Sequence, residues 1–240
     1  MAHRYFTADI TGDTARLSAA DAAHLARVLR ARPGQPLVLC DGAGHDYDAE
    51  ILTANSQAVT CRLLAQRPSA AEPTVWAEAF IAMAKGERMD LAIQKAVELG
   101  ASAIWPFFSA NTVVKPAAGT GKAIRYTRIA SETAKQCGRG ILPTVHPPLA
   151  DFSAVLQQAA TLPLALFFYE AGGQPLRTVY TGQQKLALIT GAEGGFTAEE
   201  AALAEAAGCH TVGLGPRILR SETAPAAALA VIMALSGNLE

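Results

Sequence analysis

The sequence predicts an α/β protein of two domains, a small N-terminal β-barrel followed by a larger domain with a mostly parallel sheet. Short apolar runs separated by tight turns fill the first part of the chain, and from residue 73 apolar runs alternate with helical patterns. The 240 residues, 50% of them hydrophobic and 17% charged, suffice for a substantial core. Because residues 67–73 are of the linker type, we expect domains at 1–72 and 73–240.

The expected barrel contains a short helix and several strands. Ser18 is a suitable N-cap, and the spacing of Leu25, Val28 and Leu29 predicts a helix that ends near residues 32–34. Three strand-like runs follow, at residues 36–40, 47–52 and 58–64. Short strands joined by tight turns favour a small barrel.

The second domain has a regular alternation of elements. Strands are predicted at residues 75–83, 103–108, 164–169, 185–190 and 211–214. Helices are predicted at residues 87–99, 122–137 and 224–235, and another begins at the capping-box pattern Thr197 to Glu200 and stops at Gly208. Strands that alternate with helices indicate a parallel sheet covered on both faces.

The net charge of −1 gives no whole-protein argument for a nucleic-acid partner. The charge is unevenly distributed, however: residues 73–150 carry nine Lys/Arg and five Asp/Glu, whereas residues 151–240 carry four and eight. The middle block is therefore net +4. Its basic residues either form a patch for a polyanion or are an ordinary solvated surface.

Cysteine spacing and hydropathy restrict the class of protein. The four cysteines show no C-x-x-C pair, which argues against a zinc module and a disulfide framework, so we expect a metal-free cytoplasmic protein. The N-terminus lacks a signal-peptide pattern, and no apolar run approaches the roughly 20 residues that span a bilayer. We therefore expect no membrane association.

Two unusual loops follow predicted strands near the C-terminus. Residues 191–195 contain three glycines and Glu193, and residues 213–220 combine glycines and a proline with Arg217 and Arg220. Glu222 follows at the start of the last helix. Ligands of open parallel sheets bind at the carboxyl ends of the strands, and glycine lets a ligand approach the backbone. The two loops therefore predict a ligand site, although each alone is compatible with a simple turn.

Other candidate motifs are weaker. Residues 119–122 do not fit the phosphate loop, and the glycine loops lack the G-x-G-x-x-G spacing of dinucleotide sites. His24 is either an RNA contact or a solvated histidine. Cys137 is better explained as a small buried thiol than as a nucleophile.

Seven ordered motifs make the chain similar to a known family. They are residues 4–6, 24–30, 85–90, 95–100, 136–139, 191–196 and 214–224. On them the sequence resembles the 16S ribosomal RNA uridine N3-methyltransferases of the RsmE type, in the SPOUT class. The family usually has proline at Ala192 and threonine at Ser221, and neither change removes a side chain that we assign to chemistry.

The resemblance implies a PUA-like N-terminal barrel and a C-terminal domain that contains a trefoil knot. It also implies a homodimer and S-adenosylmethionine as methyl donor. The implied cofactor residues are Leu166, Phe167, Phe168, Tyr169, Thr190, Gly191, Glu193, Gly194, Gly195, Leu214, Gly215, Arg217, Ile218, Leu219, Thr223 and Ala224.

The implied reaction is methylation of N3 of a uridine in 16S ribosomal RNA, and the expected substrate is this RNA within the assembled small ribosomal subunit. Glu222 is the first candidate for the base, or it interacts with the helix dipole; Arg220 is the first candidate to stabilise charge on the uracil oxygens, and Arg217 serves either cofactor or substrate. The residues expected to bind RNA are Arg4, His24, Arg27, Arg30, Arg88, Lys115, Arg125, Arg128 and Arg139. The alternatives are a non-catalytic RNA-binding or ribosome-assembly protein and a SPOUT enzyme that acts on another RNA or base position.

Overall fold

A computed structural model describes residues 3–114 and 121–239. Contacts between Cα atoms divide the chain into two compact units. The first unit comprises residues 1–72 together with 134–142, and the second comprises residues 73–133 and 143–240. The first unit is therefore made of two separate stretches of sequence.

The first unit contains a six-stranded sheet. Its strands are β1 (Arg4–Phe6), β2 (Asp9–Thr11), β3 (Thr14–Arg16), β4 (Pro36–Cys40), β5 (His45–Ala54) and β6 (Val59–Pro68). The order is β1-β4-β5-β6-β3-β2, with β1 and β4 parallel and every other pair antiparallel. Because β1 and β2 are the two edges, the sheet is a half-barrel. The three longest strands confirm the predicted runs.

The helix of the first unit differs from the prediction. Helix α1 (Ala19–Ala23) is capped by Ser18, whose hydroxyl accepts the Asp21 N–H, and it continues as a π-helical turn, His24–Val28. The wider turn shifts side chains away from α-helical spacing. Leu25 is buried as predicted, but Val28 is 67% exposed, so its predicted place on the apolar face was wrong.

The second unit contains a seven-stranded sheet in which every pair is parallel. Its strands are β7 (Trp76–Ala82), β8 (Ala103–Phe107), β9 (Thr144–Val145), β10 (Ala165–Phe168), β11 (Gln174–Pro175), β12 (Lys185–Thr190) and β13 (His210–Gly213). The order is β11-β13-β10-β12-β7-β8-β9. The predicted parallel sheet is confirmed.

Six helices accompany this sheet in the described residues. They are α2 (Glu87–Glu98), α3 (Gly121–Cys137), α4 (Phe152–Ala159), α5 (Leu176–Val179), α6 (Ala198–Ala206) and α7 (Thr223–Leu235). The predicted capping box is present at the start of α6, where Thr197 and Glu200 bond each other's backbone N–H groups. Helix α4 was not predicted, although the Asp151 cap and four buried apolar residues at helical spacing were visible in the sequence.

An aromatic cluster anchors one end of this sheet. Phe196 directly follows the glycine loop, and its ring centroid lies 4.5 Å from that of Phe167 on β10 and 5.5 Å from that of Phe152 on α4. All three side chains are buried. Burial of Phe196 therefore fixes the end of the loop that follows β12 against the core.

Candidate functional site

A cavity of about 530 Å³ lies at the carboxyl ends of three adjacent strands, β12, β10 and β13. Its walls are the three segments that leave those strands, at residues 168–172, 190–195 and 212–224. The two unusual loops of the sequence thus meet in one place, together with a third that follows β10. This is where ligands of open parallel sheets bind.

Thirteen of the residues expected to bind a cofactor line this cavity. They are Phe168, Tyr169, Thr190, Gly191, Glu193, Gly194, Gly195, Leu214, Gly215, Arg217, Ile218, Leu219 and Ala224. Leu166 and Phe167 do not line it. Both side chains are fully buried within the sheet, two residues and one residue before the end of β10. Thr223, the first residue of α7, is exposed and also does not line it.

The glycine loop follows a path that side chains would obstruct. A Cβ atom on Gly194 would lie 2.9 Å from the Asn111 Cβ, and one on Gly195 would lie 1.8 Å from a carboxylate oxygen of Glu170. Gly195 also has a φ of +63°, in the region that favours glycine. The Asn111 side-chain amide donates to the Gly194 carbonyl at 2.8 Å. Close packing on several sides therefore defines the backbone of this loop.

Glu193 connects the glycine loop to helix α2. Its Oε1 accepts the Lys85 backbone N–H at 3.0 Å and a hydrogen bond from Arg88 Nη1 at 3.0 Å. Burial by itself raises the pKa of Glu193, but the Lys85 N–H and the Arg88 guanidinium outweigh it and lower the pKa below its usual value. Gly86, the N-cap of α2, has no side chain to cap the helix. A carboxylate from the neighbouring loop thus lies at this helix start instead.

The three residues expected to perform chemistry lie in residues 212–224, the segment that leaves β13. Arg217 lines the cavity. Arg220 and Glu222 do not line it, although Ser221, which lies between them in the sequence, does. Among the described residues neither arginine side chain has a hydrogen bond or an ion pair, and the Ser221 hydroxyl donates to Glu222 Oε2 at 3.2 Å. Both guanidinium groups therefore keep their donors for a ligand.

Sequence reasoning missed Glu170, whose side chain also lines the cavity. It follows β10 by two residues and packs against Gly195. The available signal was its position, since a carboxylate directly after a predicted parallel strand belongs to the same edge as the glycine loops. The other lining residues not predicted are Ala171, Gly172, Val212 and Ser221, whereas Ala192, Gly213 and Pro216 belong to the two predicted loops.

Two of the arginines expected to bind RNA are directed into the first unit. Arg4 makes two hydrogen bonds to the Asp46 carboxylate, and only 14% of its side chain is exposed. Arg139 is 3% exposed and pairs with Glu72 at 2.9 Å. Because these guanidinium groups are buried against carboxylates, they are not available to phosphate, and we correct this part of the RNA-binding prediction. The sequence pattern could not show it, since the partners are distant along the chain.

The remaining basic residues of the first unit lie on its surface. His24, Arg27 and Arg30 are exposed on or next to the π-helical turn. The His24 Nδ1 lies 3.1 Å from the Tyr5 hydroxyl, which orients the imidazole. Arg30 has a φ of +50°, a strained value for a residue with a side chain. These three residues form one exposed basic segment.

Three further arginines line a groove of about 880 Å³ in the second unit, formed by α2 and the first half of α3. They are Arg88, Arg125 and Arg128. Arg125 forms an ion pair with Asp90, which also lines the groove. Lys115, also expected to bind RNA, lies outside the described residues.

Two family models match the chain. One describes an RNA methyltransferase domain and matches residues 71–233, and the other describes an RNA methyltransferase PUA domain and matches residues 17–64. The match to the first covers most of the second unit.

Relatives of similar length agree with these models. The chain is 36% identical to the ribosomal RNA small subunit methyltransferase E of Synechocystis over 98% of this chain and 78% of the relative, and 32% identical to that of Bacillus subtilis over 87% and 85%. A crystal structure of the enzyme of that name from Neisseria gonorrhoeae, bound to S-adenosyl methionine, superimposes with a TM-score of 0.90 at 28% identity over 98% of both chains.

A methyltransferase from Legionella pneumophila in complex with bound S-adenosylmethionine superimposes equally well, with a TM-score of 0.90 at 29% identity over 98% of both chains. The similarity of fold and of sequence extends over nearly the whole chain. The chain therefore belongs to the RNA methyltransferase family whose members are named ribosomal RNA small subunit methyltransferase E.

Proposed function

We propose that this protein transfers a methyl group from S-adenosylmethionine to N3 of a uridine in 16S ribosomal RNA. The observation that carries the proposal is the cavity at the carboxyl edge of β12, β10 and β13, which is closed by a glycine loop and an arginine-bearing loop. The family of the chain and the cofactor bound to two of its structural relatives support the assignment of that cavity to S-adenosylmethionine.

The residues present fit this cofactor. A cavity of about 530 Å³ lies within the usual range for small-molecule sites. Gly191, Gly194 and Gly195 allow close approach to the backbone, and residues 214–219 form the opposite wall. The Glu170 carboxylate is available at the rim for hydroxyl or amino groups. When bound, S-adenosylmethionine supplies an electrophilic methyl group on a sulfonium.

Side chains of residues 212–224, the segment that leaves β13, would act on the uracil. N3 carries a proton near neutral pH, so it becomes a nucleophile only when that proton is removed. In this proposal Glu222 would accept the proton, and the Arg220 guanidinium would stabilise the negative charge that develops on the flanking carbonyl oxygens. Arg217, which lines the cavity, would bind either the cofactor carboxylate or the substrate. Glu222 also lies at the start of α7, where the helix dipole favours a carboxylate.

RNA would be bound by exposed arginines. N3 lies on the Watson–Crick edge, so the target uridine must be unpaired or flipped. We assign backbone contacts to His24, Arg27 and Arg30 in the first unit and to the groove of Arg88, Arg125 and Arg128 in the second. Such contacts weaken steeply with added salt. The first unit then acts as the RNA-holding domain and the second as the methyltransferase domain.

We further propose that the protein acts as a homodimer in the cytoplasm, on the assembled small subunit, and that the loops of the second unit are knotted. Support for the dimer is the exposure of apolar side chains in the last part of the chain, where Ile218 is 85%, Val231 39% and Leu235 45% exposed. A second copy would cover such side chains. No helix in residues 3–114 and 121–239 is long and apolar enough to cross a membrane.

The test is incubation of the protein and labelled S-adenosylmethionine with small subunits from a strain that lacks the methyltransferase. The modified nucleotide is then identified by mass spectrometry, with naked 16S RNA as a second substrate. We expect one methylated uridine, at N3. Methylation at a different atom or in a different RNA would indicate another SPOUT activity, and RNA binding without transfer would indicate a non-catalytic assembly protein.

A further inference from the structure

Arg88 lies between two cavities of the second unit. It lines the groove of about 880 Å³ formed by α2 and α3, and its Nη1 donates to Glu193 Oε1 at 3.0 Å. Glu193 in turn lines the cavity of about 530 Å³ at the sheet edge. One ion pair therefore joins the wall of the groove to the wall of the cofactor cavity.

The groove offers the chemistry that binds an RNA backbone. Arg125 is held by Asp90 and Arg88 by Glu193, while Arg128 has no partner among the described side chains. Arg88 uses one nitrogen on Glu193, so its other N–H donors remain for a phosphate. Exposed Leu91 and Ile124 line the same groove and can contact sugars and bases.

Glu193 is fixed from two directions. The Lys85 backbone N–H and the Arg88 guanidinium bond the same oxygen, which places the carboxylate at the start of α2. Its own backbone belongs to the glycine loop, where Asn111 holds the Gly194 carbonyl. A ligand that orders residues 191–195 therefore also orders the Arg88 side chain.

We propose that Glu193 is a positioning residue for RNA: it holds Arg88 in the groove, so that cofactor in one cavity and an RNA phosphate in the other are bound cooperatively. This inference rests on the proposed function. A ligand that contacts residues 191–195 further restricts the Glu193–Arg88 ion pair, which lowers the entropic cost of binding the second ligand, and the coupling acts equally in both directions. The cofactor-loaded enzyme thus binds RNA more tightly than the empty one.

The experiment measures binding, not turnover. The affinity of a fluorescein-labelled single-stranded RNA that contains the target uridine is followed by anisotropy over a range of salt concentrations. Each titration is made with and without saturating S-adenosylhomocysteine, which lacks the transferable methyl group. For the wild type we expect an RNA affinity at least about 5-fold higher when this ligand is present.

Variants of Arg88 and Glu193 test the phosphate contact and the coupling separately. Arg88→Ala should lose the coupling and reduce the salt slope by about 0.7, the value for one phosphate contact on a single strand. Glu193→Gln should reduce the coupling and the RNA affinity, and the double variant should bind RNA no more weakly than Arg88→Ala alone. Arg88→Lys retains the charge, so it should keep the salt slope while losing part of the coupling.

Arg177→Ala is the matched control, because this exposed arginine of α5 lies outside both cavities. It should leave the salt slope and the coupling unchanged. The proposal is overturned if Arg88→Ala and Arg177→Ala give equal slopes, or if the wild-type RNA affinity is the same with and without S-adenosylhomocysteine.

Calorimetry with S-adenosylhomocysteine alone distinguishes failure of the proposed function from failure of the coupling proposal. If the wild type does not bind this ligand, the proposed function itself fails. If it binds the ligand and the RNA independently, only the coupling proposal fails. Thermal melts of every variant establish that each remains folded, and Arg88→Lys, which retains the positive charge, provides the comparison should Arg88→Ala unfold.

Discussion

The rings of Trp105 and His146 are stacked, with centroids 3.4 Å apart and planes inclined by 3°. The Phe80 ring is also stacked with Trp105, with ring centroids 5.8 Å apart. The Trp105 indole N–H donates to the Glu78 carboxylate at 2.7 Å, and the Trp76 N–H donates to the other oxygen at 2.9 Å. Both tryptophans of the chain therefore bond one carboxylate.

This cluster gives a prediction about pH. Burial lowers the pKa of His146, and the nearby Glu78 carboxylate only partly opposes the shift. Because the folded state binds the proton less readily than the unfolded state, stability is retained above the ordinary histidine pKa of about 6.5 and is lost as the pH falls below it. We expect the melting temperature to fall between about pH 7 and pH 5, and the fall to be smaller in His146→Gln.

Tryptophan fluorescence provides an independent measurement of the same titration, since protonation of His146 changes the environment of the stacked Trp105. His210→Gln is the control, because His210 is exposed on β13. An identical pH profile for the wild type and His146→Gln would show that other groups cause the loss of stability.

A second prediction concerns the glycine loop. Gly195→Ala introduces a Cβ at a φ of +63° and against Glu170, whereas Gly208→Ala has a similar φ of +82° and open space around the Cβ. Both variants should lose about 1 kcal/mol of stability from backbone strain. Only Gly195→Ala should also weaken S-adenosylmethionine binding in calorimetry. Equal affinities for the two variants would argue against a close fit of loop and cofactor.

A third prediction concerns the proposed base. Glu222→Gln removes the proton acceptor, and we expect it to reduce the single-turnover methylation rate by about 10²- to 10⁴-fold while the cofactor affinity remains unchanged. Glu199→Gln, an exposed carboxylate of α6, should leave the rate unaltered. A wild-type rate in Glu222→Gln would show that this carboxylate is not the base and interacts only with the start of α7.

Arg217 and Arg220 can be distinguished in the same assay. Arg220→Ala should lower the rate without changing cofactor affinity, because we assign its guanidinium to the uracil oxygens. Arg217→Ala should weaken cofactor binding if the guanidinium binds the cofactor carboxylate, and only the rate if it binds uridine. This measurement decides between the two roles left open for Arg217.

A further prediction concerns the buried ion pair of the first unit. Glu72 accepts hydrogen bonds from the Arg139 side chain and from the backbone N–H groups of Gly140 and Ile141. Removing one partner of such a pair leaves an uncompensated buried charge, so Arg139→Ala should cost about 3–5 kcal/mol in urea unfolding. Arg62→Ala, which breaks the exposed pair with Glu50, should cost under about 1 kcal/mol.

The sequence predicted the five inner strands of the parallel sheet because they are apolar runs, whereas the two-residue edge strands β9 and β11 lack such a run and were not predicted. Residues 185–190, for example, are observed as predicted, and the capping box places the start of α6 correctly. Glycine-rich loops after such strands also predicted where the cavity lies. These signals are local, so they can be read without knowing which residues meet in space.

The remaining features depend on partners far apart in sequence. Arg4 and Arg139 have the side-chain chemistry of RNA contacts. Only their short distances to Asp46 and Glu72 reveal that they form buried ion pairs. Glu193 was expected at the cofactor, yet its carboxylate bonds α2, which precedes it by about a hundred residues. The π-helical turn that exposes Val28 likewise has no periodic signature.

Residues 134–142 belong to the first unit although they follow much of the second in the chain. A gene fragment that ends at residue 72 would therefore encode Glu72 without the arginine and the two amides that it binds. The first unit is thus a poor module for transplantation into another protein by a single cut. Exchange of the first unit between relatives requires that both stretches be exchanged together.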